Sequence, residues 1–467
     1  CLNTAVGYRS MTGLTTGNEN TAVGYGTMCC ATTAVDNAAF GYGALALITT
    51  GIRNTAIGRS ALSKNTASYN TGVGYTALYC NTSGAENNGF GYGVMYYNTT
   101  GGCNTAVGSA AMQKNTTGNQ NTAVGYLALC SNTTGNYSTA VGTKSLYVNT
   151  TGNNQAFGSF SLKKNTSGTL NNAFGYAAME ENTTGDCNIA MGHAALNKNT
   201  AGCINTAFGY QALYCNTTGC GNVAVGRRAL CLNTTGKFNT AVGTDALTQS
   251  TNGYNTAVGT NALFNTTSGQ YNTAMGLSVM YNNTTGGRNS AFGRSALSSN
   301  TTAADNTASG FYSLYSNTTG NSNTAAGSCA LRNNTTGCYN NAFGKRALKS
   351  NTTGCYNVAA GNDAMYNNTT GNSNTASGYY ALGKNTTGHS NAAAGHMAMT
   401  KNTTGHSNVA IGLQTMGCNT TAAYNTAVGV CAMFCNTGTG MAMEAFGFRA
   451  LHSNTTGSCN MGMGFCA

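Results

Sequence analysis

Cysteine is the residue whose spacing in this chain most directly suggests chemistry. Cys203 and Cys220 lie 17 residues apart, as do Cys338 and Cys355, and Cys418 and Cys435. If a repeated unit stacks at the strand spacing of about 4.8 Å, such pairs fall within the Cα separation that a disulfide accepts. Three inter-coil bridges are expected on this ground, with Cys215 and Cys231 as a further pair; free thiols at variable turn positions are the alternative. The total of 19 cysteines is odd, so one thiol is left over or bonds another chain. A second chemistry is N-glycosylation. Asn81, Asn98, Asn115, Asn132, Asn149, Asn216, Asn233, Asn351, Asn402 and Asn454 each begin an Asn-Thr-Thr or Asn-Thr-Ser acceptor. The competing reading is a ladder of stacked amides and hydroxyls that caps the turns.

Other reactive residues do not assemble into a site. His193, His389, His396, His406 and His452 fall at turn positions, and His389 and His406 share a column. The ten carboxylates form no recurring acid/base pair, and the Gly-x-Gly runs at Gly41 and Gly91 lack the strand-loop-helix setting of a phosphate loop. No metal-ligand spacing stands out, so neither enzyme activity nor a cofactor is expected. Threonine columns on a flat face could order water as an ice-binding surface does, but Lys64, Lys114, Lys164 and Lys198 interrupt the edge beside them.

What positions these residues is a repeat. Glycines recur at Gly7, Gly24, Gly41, Gly58, Gly74, Gly91, Gly108 and Gly125, and so on to Gly464, nearly all 17 apart. Self-similarity at a fixed short period is the mark of a solenoid. Four residues after each of these anchors as far as Gly447 stands Leu or Met, as at Met11, Leu45 and Leu62 and on to Leu451; one before is usually a bulky apolar residue such as Val124, Phe157 or Met191. Two before, only Ala or Gly occurs, from Ala5 to Gly462. Asn-Thr-Thr-Gly and frequent Gly would break a helix, whereas short β-rich stretches between Gly and Asn read as strands and tight turns. The expected fold is all-β: a parallel β-solenoid or β-roll of about 28 coils, 17 residues each, over one continuous repeat domain spanning 1–467.

Residues one and two before the anchor must point to opposite faces of a strand. With the bulky one taken as the core, the stretch from 309 to 394 should be softest, because Ser309, Ala326, Ala360, Ser377 and Ala394 stand there. The strictly small column then has two explanations: another backbone packs close by, as at a three-fold axis, or the column forms a tight corner within one thin coil.

Composition narrows the function classes. Charged residues make up 7% of the chain, against about 25% in an average globular domain. The net charge of +11 is spread out, with no basic run of the kind that tracks phosphates, so nucleic acid is not an expected partner. No apolar stretch is long enough for a membrane span. Abundant Cys and acceptor sequons suggest an extracellular home. The chain starts and stops inside a repeat, so an excerpted or processed piece is expected. Open β-edges invite end-to-end pairing, and Cys1 and Cys459, near equivalent columns, could bond across such a junction.

The segments "NTAVG", "NTAIG" and "NNAFG" resemble the repeats of trimeric autotransporter adhesin heads, and the fuller "NTAVGYxALxxNTTG" resembles repeat regions of phage tail-fibre-like and bacterial surface proteins. The resemblance implies a left-handed β-roll, self-association as a trimer, and a place on a cell or virion surface. The leading expectation is a structural extracellular fibre segment. The alternative is an adhesin or tail-fibre shaft binding glycans through its sides, with Tyr8, Tyr25, Tyr126 and Tyr210 stacking on sugars.

Overall fold

The anchor glycines explain how one coil lies on the next. Gly125 has a φ of 133°, a region L side chains rarely adopt, and a Cβ there would sit 2.7 Å from the carbonyl oxygen of Gly142. Any side chain at this column would push two successive backbones apart. Three further positions per coil take the left-handed conformation, and in most coils none of them is glycine; in one coil they are Gln120, Leu127 and Leu129, at φ 55°, 55° and 51°. Each costs about 1–2 kcal/mol, and the returns that follow must offset that cost.

A computed structural model describes residues 2–437 and 440–467, and they fall into two compact units, 1–237 and 238–467. The first unit carries fourteen three-residue strands, from β1 (Thr4–Val6) to β14 (Val223–Val225), and the second another fourteen, from β15 (Thr240–Val242) to β28 (Met461–Met463). Among the described residues there is no helix. Within each unit, successive strands pair parallel and in register; Thr122, Ala123 and Val124 pair with Thr139, Ala140 and Val141. Each unit is a parallel β-solenoid of about 17 residues per turn.

The backbone ladder continues through the turns. Leu129 N donates to Ser145 O at 3.0 Å and Thr116 N to Thr133 O at 2.9 Å, while Asn132 N closes the turn onto Leu129 O at 3.2 Å. The turns therefore meet the requirement that buried backbone groups find partners.

The Leu/Met column lies inside, as its regularity suggests: Leu45, Leu62, Leu129, Leu213 and Leu348 are fully buried. The other half of the expected core is reversed. The small column faces inward, with Ala22, Ala123, Ala207 and Ala376 fully buried, while Val124, Phe174 and Met191 before the anchor are exposed. The coil is thin, and Leu together with two Ala fills it; Ala128, three after its anchor, is also fully buried. Both explanations for the small column took it to face outward, and that premise is reversed: the column is small because it packs inside a thin coil. The softening expected at Ser309, Ala326, Ala360, Ser377 and Ala394 loses its basis, because those residues lie on the outer side of strands whose buried partners are unchanged.

Asparagine completes the interior. Asn104 Oδ1 accepts from both the backbone nitrogen (2.9 Å) and Nδ2 (3.2 Å) of Asn121, whose Nδ2 also donates to Gly135 O at 2.8 Å. Beside it, Asn115 Nδ2 donates to Asn98 Oδ1 at 2.7 Å and to Gly118 O at 3.0 Å, the carbonyl that Asn104 Nδ2 also reaches. Two buried amide ladders thus run beside the Leu column. A neutral hydrogen bond contributes about 0.5–1.5 kcal/mol net, and an orphaned buried partner costs about 1–3 kcal/mol, so each ladder ties a coil to its neighbours wherever its column carries Asn, which it does in most coils but not, for example, at Ile48, Ser138 or Ser250.

Candidate functional site: the outer face of the coils

Since the interior is closed by Ala, Leu and Asn, function must be carried by what the coils display. The strands display two columns. Thr three before the anchor is mostly half-buried, as at Thr105 and Thr122. The bulky residue before the anchor is exposed or half-buried in every coil of the first unit after β1, and Ile57, Phe90, Val107, Val124, Phe174 and Met191 are all exposed. Neither column carries a charge anywhere in that unit. Soluble monomers rarely leave such a contiguous apolar surface uncovered.

One residue after the anchor, rings stack upon rings. Tyr8, Tyr25 and Tyr42 lie in succession with centroids 5.2 and 5.0 Å apart, and Tyr75 and Tyr92 are stacked at 5.2 Å. The Arg59 guanidinium lies between them, 5.5 Å from the Tyr42 ring and 5.8 Å from the Tyr75 ring. Tyr176, His193 and Tyr210 stack in the same way at 5.2 and 5.3 Å. Rings in such a ladder turn their faces to one another and their edges to water. Of the tyrosines expected to stack on sugars, Tyr8, Tyr25 and Tyr210 are engaged in this manner. Tyr126 stands between Ser109 and Thr143 in its column and is exposed.

The glycosylation expectation is corrected. Asn81, Asn98, Asn115, Asn132, Asn149, Asn216, Asn233, Asn351 and Asn402 are fully buried, and the Nδ2 atom that a glycan would occupy donates inside the coil, as in the Asn115 example. Asn454 is half-buried, and its Nδ2 lies 2.8 Å from Met443 Sδ. The amide ladder is the reading the structure carries.

The cysteine pairs divide. Cys203 and Cys220 bring their sulfurs to 2.8 Å, and Cys338 and Cys355 to 2.9 Å, all four as thiols. Cys418 and Cys435 do not meet; Cys418 Sγ is 3.6 Å from Lys401 Nζ. Cys215 and Cys231 occupy different columns, joined through the backbone by Cys215 N to Cys231 O at 2.9 Å. Cys1 lies outside the described residues, and Cys459 is exposed.

His389 and His406 stack at 4.7 Å, each with Nδ1 near the hydroxyl of the following serine. Among the described residues no group of three or more His, Cys, Asp and Glu is arranged to hold a metal ion. Nor, among them, is any helix long and apolar enough to cross a membrane. Lys and Arg form pairs between successive coils, such as Lys164 with Glu181 at 2.5 Å and Arg288 with Asp305 at 2.7 Å.

Sequence reasoning missed which strand face is inner, the buried Asn of "NTAVG", and the left-handed Leu. A signal for the first was present. A column that accepts Phe, Val, Ser and Ala alike tolerates volume changes that a close-packed interior does not, whereas one restricted to Ala and Gly does the opposite. The chain matches no known protein-family model and no curated protein.

Proposed function

We propose that this chain is a segment of a structural fibre whose coils associate side by side with further copies of the same chain. The observation that carries this reading is the uncharged apolar column on the outer strand face of the first unit. The occupant that fits it best is another copy. A ladder of side chains spaced at the coil rise is matched, knob for gap along its length, by a surface with the same rise. An extracellular, cell-surface or virion-surface location belongs to this reading, supported by the neutral composition and abundant Cys; no catalysis is part of it.

The test is the mass of the purified chain in solution, by sedimentation, with Val107→Lys and Val124→Lys introduced together. The native chain should sediment as an oligomer, and the double variant as a monomer with unchanged circular dichroism. A native chain that is monomeric at tens of micromolar would end the proposal.

A second reading, recognition of glycans through the sides, is favoured by one place. Tyr75, Tyr92, Tyr96, Tyr97 and Gln113 line an open groove, and Tyr97 meets Tyr96 edge to face at 4.7 Å, which leaves aromatic surface for a sugar ring. Loss of glycan-array binding on Tyr92→Ala with Tyr97→Ala would support that reading; a native chain that binds no glycan would remove it.

A further inference from the structure

We propose that Cys203 with Cys220, and Cys338 with Cys355, are two directional thiol–disulfide exchange sites, in which the second cysteine of each pair attacks the incoming disulfide and the first then closes the bond. Four observations lead there. All four residues occupy one column, six before the anchor glycine. Elsewhere the side chain at that column recurrently accepts a hydrogen bond from the backbone nitrogen of its counterpart in the preceding coil. Gly102 N donates to Asn119 Oδ1 at 2.7 Å, and Ala304 N to Asn321 Oδ1 at 2.7 Å. In the cysteine pairs the acceptor is sulfur: Cys203 N donates to Cys220 Sγ at 3.1 Å, and Cys338 N to Cys355 Sγ at 3.0 Å. Finally, the first thiol of each pair touches the second, at 2.8 and 2.9 Å.

This arrangement gives each pair a direction. In each pair only the second sulfur accepts the hydrogen bond from the first cysteine's backbone N–H, and it also lies against a carbonyl, Thr218 O at 3.6 Å for Cys220 and Thr353 O at 3.5 Å for Cys355. The first cysteine is held as the thiol. The Cys203 thiol is pushed up to about 11, chiefly by its hydrogen bond to Cys220, and the Cys338 thiol to about 11 by burial and then by Cys355.

With a small-molecule disulfide of the glutathione type as oxidant, the steps balance. The Cys220 thiolate attacks one sulfur of the reagent, the reagent's S–S bond breaks, and one glutathione thiolate leaves. The negative charge facing Cys203 is then gone, so Cys203 ionises more readily. Its proton goes to solvent, and its thiolate attacks Cys220 Sγ already in contact. A second glutathione thiolate leaves, and the Cys203–Cys220 bond is formed. Two chain thiols are oxidised and one reagent disulfide is reduced to two thiols. The same sequence applies to Cys355 and Cys338. Each bond ties one coil to the next across a 17-residue loop.

The spacing of Cys418 and Cys435 is the same, but they stand six residues after their anchors and their sulfurs do not meet. They are the internal control. The full folded chain is incubated with oxidised glutathione, quenched with iodoacetamide and mapped by mass spectrometry over time. Cys203–Cys220 and Cys338–Cys355 should form about tenfold or more faster than Cys418–Cys435, since the attacking and attacked sulfurs are already in contact. In Cys203→Ser and Cys338→Ser, each checked for folding by circular dichroism, glutathione should accumulate on Cys220 and Cys355. The proposal is overturned if the three pairs close at equal rates, or if all six cysteines stay open to alkylation. Glutathione accumulating instead on Cys203 in Cys220→Ser, faster than on Cys220 in Cys203→Ser, would also overturn it.

Discussion

Two stretches of the molecule share an interior and differ outside. In the first unit, the residue before each anchor is Val, Phe, Ile or Met in every coil from Val6 to Val225. Between 307 and 394 in the second unit it becomes Ser309, Ala326, Phe343, Ala360, Ser377 and Ala394. Behind this stretch Ala308, Ala325, Ala359 and Ala376 are as fully buried as Ala123 and Ala207, and Leu314, Leu331 and Leu382 as fully as Leu129. The outer column is therefore not needed to build a coil. The bulky outer column of the first unit is the surface that the proposed association would use.

The largest effects should ignore this difference. Asn188 makes four hydrogen bonds, through Nδ2 to Asn171 Oδ1 and Gly202 O, and through Oδ1 from the backbone and side-chain nitrogens of Asn205. Asn357 makes the equivalent four in the other stretch. Asn188→Ala and Asn357→Ala should each cost on the order of 3–5 kcal/mol, because several buried partners lose their bonds at once. Native-state hydrogen exchange of the flanking coils measures this, and unequal costs would mean that the outer column does support the interior. Leu213→Ala and Leu348→Ala should follow at about 2–5 kcal/mol each, again alike.

Changes on the outer column should separate stability from association. Val124→Ser and Ser377→Val should each shift unfolding by less than about 1 kcal/mol, as surface changes do. Sedimentation should show the first weakening self-association and the second strengthening it. Smaller still is the gain from relaxing the left-handed turn: Ser278 sits at φ 51° in a column where Gly26, Gly43 and Gly93 also occur, so Ser278→Gly should stabilise by up to about 1 kcal/mol, read as a higher Tm.

The smallest effect is electrostatic and belongs to the second unit. Hydrogen bonds from the Arg288 guanidinium, at 2.7 and 2.9 Å, hold the Asp305 carboxyl below its ordinary range. A depressed folded-state value means the pair's contribution is present above the unfolded carboxylate pKa of about 4 and is lost as pH falls through the lowered folded value. Asp305→Asn should therefore flatten the acid limb of a Tm-against-pH curve and leave neutral pH nearly unchanged, as expected of an exposed pair.

Much of the fold was legible in the sequence because a period is a one-dimensional property. The 17-residue spacing, the unbroken Leu/Met column and the punctuation by Gly and Asn determine a parallel solenoid and place Leu129 and its counterparts inside, since only a stacked coil gives the same environment to every copy of a column. What a period does not carry is the sign of a face. Alternation states that Ala123 and Val124 point oppositely, and only the width of the closed coil decided that Ala goes in and Val out. The same holds for Asn115, whose sequon is identical whether its amide meets a glycan or a neighbouring Asn98. The cysteines make the point most sharply: three pairs are 17 residues apart, but contact between sulfurs depends on where the column stands on the turn. That is a matter of three-dimensional direction, which Cys203 and Cys220 satisfy and Cys418 and Cys435 do not.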